Sequence, residues 1–99
     1  MRYRIAFAES VLGQMAILPA RDRASVLDAI EALLQYEPLV ETRNRKPLRP
    51  NPVAPWELRV GRLRVFYEIA ADTPATVRVL AVGRKTGNKL FIGGTEIQL

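Results

Sequence analysis

Arg59 and Arg64 lie on the two sides of a predicted turn, at a spacing that brings their charges together. The residues before Gly61 and after Arg62 alternate between apolar and polar types, which is typical of β-strands with one buried face. Gly61-Arg62 favours a two-residue hairpin loop of type II′, because that turn prefers glycine at its first position. In this register Arg59 directly faces Arg64 on one face of the hairpin.

The hairpin face that carries these two arginines is predicted to bind an anion. Two like charges directly opposite each other cost up to about 1 kcal/mol, and a phosphate between them would remove that cost. The alternative is a solvated ladder in which Glu57 and Glu68 neutralise the arginines. Strand alternation places Phe66 on the same face of the hairpin as Arg59 and Arg64. An aromatic side chain among arginines could stack on an unpaired base of single-stranded RNA.

A face of this kind could cleave RNA, because the 2′-hydroxyl of RNA can attack the adjacent phosphate itself. The protein then has to supply positive charge on the phosphate, a proton acceptor and a proton donor. The candidates are Arg59, Arg64 and either Arg84 or Lys85 for the charge, Glu57 or Glu68 as acceptor, and Lys85 or Lys89 as donor. The sequence leaves the choice between these acids and bases open.

The amino-acid composition limits the other chemistry that is possible. The chain has 99 residues, no cysteine and no histidine, which excludes disulfides, thiol chemistry and nucleophiles activated by histidine. Neither metal-ligand spacing nor a nucleotide-binding loop is present, so no metal and no cofactor are expected. No apolar run reaches the roughly 18–20 residues of a membrane helix, and residues 1–10 do not resemble a secretory signal. We therefore expect a cytoplasmic protein without a membrane partner.

Positive charge is concentrated in the second half of the chain. The formal net charge of +5 is made up of −2 for residues 1–41 and +7 for residues 42–99. A basic half on a small domain is typical of proteins that bind polyanions such as nucleic acids. Residues 42–55 are rich in proline and are predicted to form a semi-rigid loop. The basic residues of that loop are Arg43, Arg45, Lys46 and Arg49.

Two helices are predicted between an N-terminal strand and the hairpin. Residues 2–7 alternate as a strand with one buried face. Apolar residues at helical spacing follow, and Pro19 ends the first helix. Asp22 is predicted to cap the second helix and Pro38 to stop it. Both apolar stripes are expected to pack in the core.

The complete order of elements predicts an α+β fold. Apart from Arg78, residues 77–82 are apolar on both faces, as in a central strand, and residues 89–92 could add a short last strand. We expect an N-terminal strand, a helix hairpin and then a three- to four-stranded antiparallel meander, which together form one twisted sheet. Residues 1–99 are expected to form a single domain, since neither half is long enough to fold alone.

Three segments of the sequence carry a resemblance to a known family. They read PWELRVG at residues 55–61, LRVFYEI at 63–69 and VLAVGRK at 79–85. Together with the initial strand and helix hairpin, they resemble the RelE/ParE superfamily of toxins from type II toxin–antitoxin systems, over nearly the whole chain. The resemblance implies a small sheet covered by a helix hairpin. It also implies a translation inhibitor that acts as a ribosome-dependent mRNA endoribonuclease (an mRNA interferase), as RelE-like members are.

The resemblance also assigns roles to the basic residues. Arg64 matches the arginine on the third strand of RelE-like toxins, and Lys85 or its neighbour Arg84 matches the basic residue after the last long strand. Arg59 and the basic residues within 43–49 match positions that contact ribosomal RNA. Arg84 and Lys89 are further candidates for RNA binding.

Two positions depart from the RelE pattern. Phe91 stands where RelE-like toxins carry a tyrosine that stacks on the substrate base, so Phe91 can stack but has no hydroxyl for proton transfer. Glu57 stands in a region where lysines are common, and a carboxylate there fits the role of general base.

The partners implied by the resemblance are a ribosome with its mRNA and a cognate antitoxin. The antitoxin is expected to be small, acidic and amphipathic, because an exposed sheet face with arginines favours such a cover. Operator DNA is expected to be bound only through the antitoxin. The alternative functions are a ParE-like inhibitor of DNA gyrase, an inactive toxin relative that survives as an antitoxin-bound binding module, or a basic structural domain without toxicity.

Overall fold

The structure, a computed structural model, describes residues 2–99 and in that range contains two helices and a seven-stranded sheet. In chain order the elements are β1 (Arg4–Phe7), α1 (Glu9–Ala16), α2 (Ala20–Leu34), β2 (Arg45–Pro47), β3 (Trp56–Val60), β4 (Leu63–Ile69), β5 (Thr76–Thr86), β6 (Lys89–Ile92) and β7 (Thr95–Ile97). The predicted α+β class is confirmed. Neither helix in residues 2–99 has the length and apolarity that crossing a membrane requires.

The long strand β5 is the centre of the sheet. Along one edge it pairs antiparallel with β4. Along the other edge it pairs parallel with β1 through residues 76–79 and antiparallel with β6 through residues 83–86. Strands β3 and β2 extend the sheet beyond β4, and β7 extends it beyond β6. The central strand at residues 77–82 is therefore confirmed, and the sheet has more strands than the predicted meander.

Both helices cover one face of the sheet, which we call the inner face. Val11 of α1 and Val26 of α2 are fully buried against Val65 and Val79 of the strands. The helix starts differ from the prediction, since α2 begins at Ala20 and Asp22 lies in its first turn instead of at the cap. A carboxylate in the first turn still stabilises the helix through its dipole.

The opposite face of the sheet, the outer face, carries a second and smaller core. Ala54, Phe66, Ala81 and Leu90 are buried there. Partly buried side chains from the 48–53 loop and from β6 and β7 pack against them. The outer face is therefore not the open, solvated surface that the alternation in the hairpin indicated.

The hairpin between β3 and β4 has the predicted register. Val60 pairs with Leu63, and Arg59 pairs with Arg64. Gly61 has a φ of 58°, and Arg62 is not in the left-handed region, as a type II′ turn requires. The prediction that two arginines stand directly opposite each other is confirmed.

Tyr67 joins the inner core to the segment after α2. Its hydroxyl donates a 2.6 Å hydrogen bond to the Pro38 carbonyl, and the side chain is fully buried. Burial raises the pKa of Tyr67 above its ordinary value near 10, against a smaller lowering by Arg45. The stabilisation that this hydroxyl provides is therefore complete below about pH 10 and is lost as the pH rises above that value.

Replacing Tyr67 with phenylalanine should lower the free energy of unfolding by about 1–2 kcal/mol at pH 7, because the buried Pro38 carbonyl loses its donor. The difference between the wild type and Tyr67→Phe should shrink above pH 10, where the wild-type hydroxyl ionises on unfolding. Urea denaturation at pH 7 and pH 10.5 measures both values. A difference that stays constant with pH would contradict the burial of this hydroxyl.

A candidate anion site on the outer face of the sheet

Glu57 lies between the two facing arginines of the hairpin. The Arg59 Nε lies 2.9 Å from Glu57 Oε2, and the Arg64 Nε lies 3.8 Å from Glu57 Oε1. Residues 57, 59 and 64 share the outer face through the pairing of β3 with β4. The three side chains form what we call the Glu57 cluster. Two guanidinium groups around one carboxylate keep a net positive charge.

The two arginines of the Glu57 cluster differ in exposure. The Arg59 side chain is 48% exposed, whereas Arg64 is 14% exposed and Glu57 only 7%. Arg64 Nη1 donates to the carbonyls of Gly61 and Leu63, at 2.8 Å each. Burial lowers the pKa of Arg64, the Glu57 carboxylate raises it, and the nearby Arg59 lowers it.

The position of Glu57 decides between the two interpretations of the facing arginines. The sequence left open whether an anion or a ladder with Glu57 and Glu68 compensates them, and the structure shows that Glu57 does so within the chain. Within residues 2–99 Glu68 forms no ion pair with either arginine, and it lies four residues further along β4, opposite Arg78. The idea that the arginines lack a counter-charge is therefore wrong, although one positive charge of the cluster is left over.

Lys85 lies close to the Glu57 cluster, at the edge of a cavity. Glu57 and Lys85 both line a cavity of about 330 Å³, together with Leu90 and the C-terminal residues 96–99. The backbone N–H of Lys85 donates to the Arg62 carbonyl at 2.7 Å, which fixes this end of β5 against the hairpin loop. The structure thus brings together the four residues that the sequence proposed as catalytic: Glu57, Arg59, Arg64 and Lys85.

Arg84 and Phe91 lie on the other face of the sheet. They pair with each other across β5 and β6, and both line a separate cavity of about 140 Å³ beside Gln14 and Ile17 at the α1 end. Strand alternation separates Arg84 from its neighbour Lys85. Of the two neighbouring basic residues that the sequence left open, Lys85 is the one on the face of the Glu57 cluster, and Arg84 and Phe91 lie on the opposite face, where their RNA-binding role stays a prediction.

Phe66 cannot stack on a base. Its side chain is 0% exposed and lies in the outer core with Ala54, Ala81 and Leu90. The face of the sheet on which Phe66 lies was predicted correctly, because Phe66 pairs with Glu57 on the outer face. The prediction of an RNA-binding role is wrong because the 48–53 loop and β6 cover that part of the face.

Arg45 has a structural role that excludes RNA binding. It is 9% exposed, its Nη1 donates to the Leu33 carbonyl at 2.7 Å, and its Nε donates to the Val40 carbonyl at 3.0 Å. Leu33 lies in the last turn of α2, where helix carbonyls lack partners within the helix. Arg45 therefore caps the C-terminal end of α2, and its assignment to an RNA contact is wrong.

The other basic residues proposed for RNA binding are accessible. Arg43, Arg49 and Lys89 are exposed, and Lys46 is partly exposed. Lys46 pairs with Glu57 across β2 and β3, and its Nζ lies 3.4 Å from Glu41 Oε2. Strand β2 lies within the segment predicted as a loop, and it escaped prediction because three residues with a proline show no alternation.

The Arg45→Met variant should lower the free energy of unfolding by about 2–3 kcal/mol, since two carbonyls lose a charged donor. The matched variant Arg43→Met removes an exposed arginine two positions away and should change stability by less than about 0.5 kcal/mol. Thermal or urea denaturation of both variants gives the comparison. Equal effects of the two substitutions would show that Arg45 does not cap α2.

Asn88, Glu96 and Gln98 also line the cavity beside Lys85, and the sequence analysis did not single them out. Glu96 lies on β7, which was not predicted. A signal for β7 was present, because Gly93-Gly94 is a two-residue hairpin sequence. Both glycines have positive φ, at 60° and 80°, as a type I′ turn requires.

Solved structures share this arrangement of sheet and helices. The toxin–antitoxin complex RelBE2 from Mycobacterium tuberculosis contains a chain that matches with a TM-score of 0.72 and 29% sequence identity, over 86% of this chain and 93% of that one. This chain is RelE-like. The archaeal RelE–RelB complex from Pyrococcus horikoshii OT3 matches with a TM-score of 0.66 and 21% identity, over 88% of this chain and 98% of that one, and shows the same fold. The sequence of this RelE-like chain matches no family model and no curated protein.

Proposed function

We propose that this RelE-like chain is the toxin of a type II toxin–antitoxin module and that it inhibits translation by cleaving mRNA on the ribosome. The observation that supports cleavage is the Glu57 cluster, which keeps a net positive charge next to Lys85 on the outer face. The toxin assignment is supported by the similarity to a chain of the toxin–antitoxin complex RelBE2, and the RelE–RelB complex shares the fold. The proposal takes residues 1–99 as one domain that acts in the cytoplasm.

The proposed reaction uses a nucleophile from the RNA itself. The 2′-oxygen of one nucleotide attacks the adjacent phosphorus, the bond from phosphorus to the 5′-oxygen breaks, and a 2′,3′-cyclic phosphate and a 5′-hydroxyl form. Arg59, Arg64 and Lys85 provide positive charge as the phosphate gains negative charge in the transition state. Glu57 is the candidate acceptor of the 2′-hydroxyl proton, and Lys85 is the candidate donor of a proton to the 5′-oxygen.

In this proposal the ribosome holds the RNA in position. A chain with few proton-transfer groups gains most from a partner that aligns the 2′-hydroxyl with the phosphate, because orientation alone can contribute several kcal/mol to catalysis. The proposed contacts to RNA phosphates are the exposed Arg43, Arg49 and Lys89 and the partly exposed Lys46.

The antitoxin is proposed to be an acidic amphipathic protein that neutralises the basic outer face. The net charge of +7 on residues 42–99 favours an acidic partner through electrostatic complementarity. Operator DNA is then bound only by the antitoxin part of the complex.

Expression of the chain without an antitoxin, followed by mapping of mRNA 5′ ends, tests the proposal. We expect growth arrest within one generation and new 5′ ends at fixed positions within codons. An Arg21→Ala chain is the matched control, because Arg21 is an exposed arginine on α2, outside the Glu57 cluster, and it should cleave normally. Intact transcripts together with induction of the DNA-damage response would instead indicate gyrase inhibition, and intact transcripts with normal growth would indicate a structural domain.

A further inference from the structure

We propose that Arg59 is the arginine that contacts the phosphate, and that Arg64 is a positioning residue that acts on Arg59 through Glu57. This division of roles rests on the proposed function for the identity of the phosphate, which is that of single-stranded RNA. The sequence had proposed both Arg59 and Arg64 as sources of positive charge on the phosphate without distinguishing their roles.

Arg64 is already committed to groups within the chain. Its Nη1 donates to two carbonyls of the hairpin loop at 2.8 Å, and its Nε faces Glu57. Only 14% of its side chain is exposed. A phosphate that bound Arg64 through the same nitrogens would have to replace two hydrogen bonds and compete with the Glu57 carboxylate, which offsets part of the gain from binding.

Arg59 has the opposite properties. Its Nε is fixed by Glu57 at 2.9 Å, and 48% of its side chain is exposed. Neither Nη atom of Arg59 has a hydrogen-bond partner anywhere in residues 2–99. Two free Nη groups on a guanidinium whose Nε is already fixed suit contact with two phosphate oxygens, and the loss of side-chain entropy on binding is reduced.

Glu57 transmits the effect of Arg64 to Arg59. Its two carboxylate oxygens face different arginines, Oε2 towards Arg59 and Oε1 towards Arg64. Opposite Arg64 on β5 lies Gly83, which has no side chain that could compete for Arg64. A larger residue does not fit at this position, because a Cβ at Gly83 would lie 2.5 Å from the Phe91 carbonyl oxygen. The order of contacts is therefore hairpin loop, Arg64, Glu57, Arg59 and then solvent.

The test measures binding of a single-stranded RNA oligonucleotide with 2′-O-methyl groups by the free protein over a series of salt concentrations. The RNA cannot be cleaved and no ribosome is present, so the result does not depend on cleavage. Loss of one phosphate contact lowers the slope of log affinity against log salt by about 0.7 for a single strand. Arg59→Gln should show this loss, whereas Arg21→Gln should bind like the wild type.

Arg64→Gln should weaken the affinity of the folded protein several-fold without changing the salt slope, and Arg64→Lys should recover part of that affinity. A merely structural role would reduce the folded fraction and leave the affinity of folded molecules unchanged. The division of roles is overturned if Arg64→Gln lowers the slope as Arg59→Gln does, if Arg59→Gln keeps the wild-type slope, or if the wild type shows no salt-dependent binding. If the expected slopes are found but ribosome-bound mRNA stays intact, the phosphate site stands and the proposed cleavage fails.

Discussion

The Arg59→Ala variant should cleave ribosome-bound mRNA about 100-fold more slowly than the wild type, or slower still. Removing one preorganised donor from the site where charge develops typically costs a factor of about 10²–10³ in rate. Arg59 is half-exposed, and within residues 2–99 its side chain hydrogen-bonds to Glu57 alone, through Nε, so the fold should survive its loss. Single-turnover cleavage on ribosomes programmed with a defined mRNA measures the rate.

The control for this prediction has to separate local charge from total charge. Arg21→Ala also removes one exposed arginine, but from α2, and should keep the wild-type rate. Arg21→Ala should unfold like the wild type within about 0.5 kcal/mol. Arg59→Ala should lose about 1–2 kcal/mol, because the nearly buried Glu57 carboxylate loses its 2.9 Å partner, so cleavage is measured at a temperature at which both variants are folded. A fully active Arg59→Ala protein would remove the Glu57 cluster from the reaction.

The Phe66→Ala variant should lose about 3–5 kcal/mol of stability, because a large aromatic side chain leaves a cavity in the outer core. Small domains have only about 5–15 kcal/mol in total, so much of the variant protein should be unfolded at 37 °C. Phe66→Leu keeps most of the apolar volume and should cost clearly less. Urea denaturation monitored by circular dichroism gives both values.

Phe7→Ala is the matched control for Phe66, because Phe7 is 42% exposed on the edge strand β1 and should cost about 1 kcal/mol or less. A base-stacking role for Phe66 predicts a stable variant with weaker RNA binding. Finding a Phe66→Ala protein as stable as the wild type would contradict the outer core.

The hairpin was predictable because local rules determine it. Glycine at the first turn position and strict alternation on both sides fix the register, so the pairing of Arg59 with Arg64 follows from the sequence alone. Alternation also placed Glu57 and Phe66 on the outer face. Alternation cannot show which segments pack on the outer face, because those segments are distant in the sequence. The 48–53 loop and strands β6 and β7 bury Phe66, and no local pattern in the hairpin reports them.

The face assignments on β5 show a second limit. A register shift between Phe66 and Tyr67 places Leu80 as an extra residue, so that Val79 pairs with Tyr67 and Ala81 with Phe66. Without the bulge, two residues of equal parity such as 79 and 81 would share one face. In the structure Val79 lies in the inner core and Ala81 in the outer core. The bulge therefore turns Ala81 to the face opposite that of Val79.

Charge alone also failed to separate binding residues from structural ones. Arg43 and Arg45 lie in the same basic segment, yet Arg43 is exposed while Arg45 caps α2. The difference depends on where the end of α2 lies in three dimensions. Likewise, Arg84 and Lys85 are adjacent in sequence but lie on opposite faces, and the pairing of β5 with β6 was needed to assign them.

The most direct test of the central claim is cleavage of an mRNA in which a single 2′-hydroxyl is replaced by hydrogen. Purified protein is added to ribosomes programmed with the unmodified mRNA, and the cut position is mapped. The same mRNA with a 2′-deoxy nucleotide immediately 5′ of the scissile phosphate is then compared. We predict cleavage of the first mRNA to a 2′,3′-cyclic phosphate and a 5′-hydroxyl, and none of the second. Equal cleavage of the two mRNAs, or no cleavage of either, would contradict a cluster that cuts RNA through its own 2′-hydroxyl.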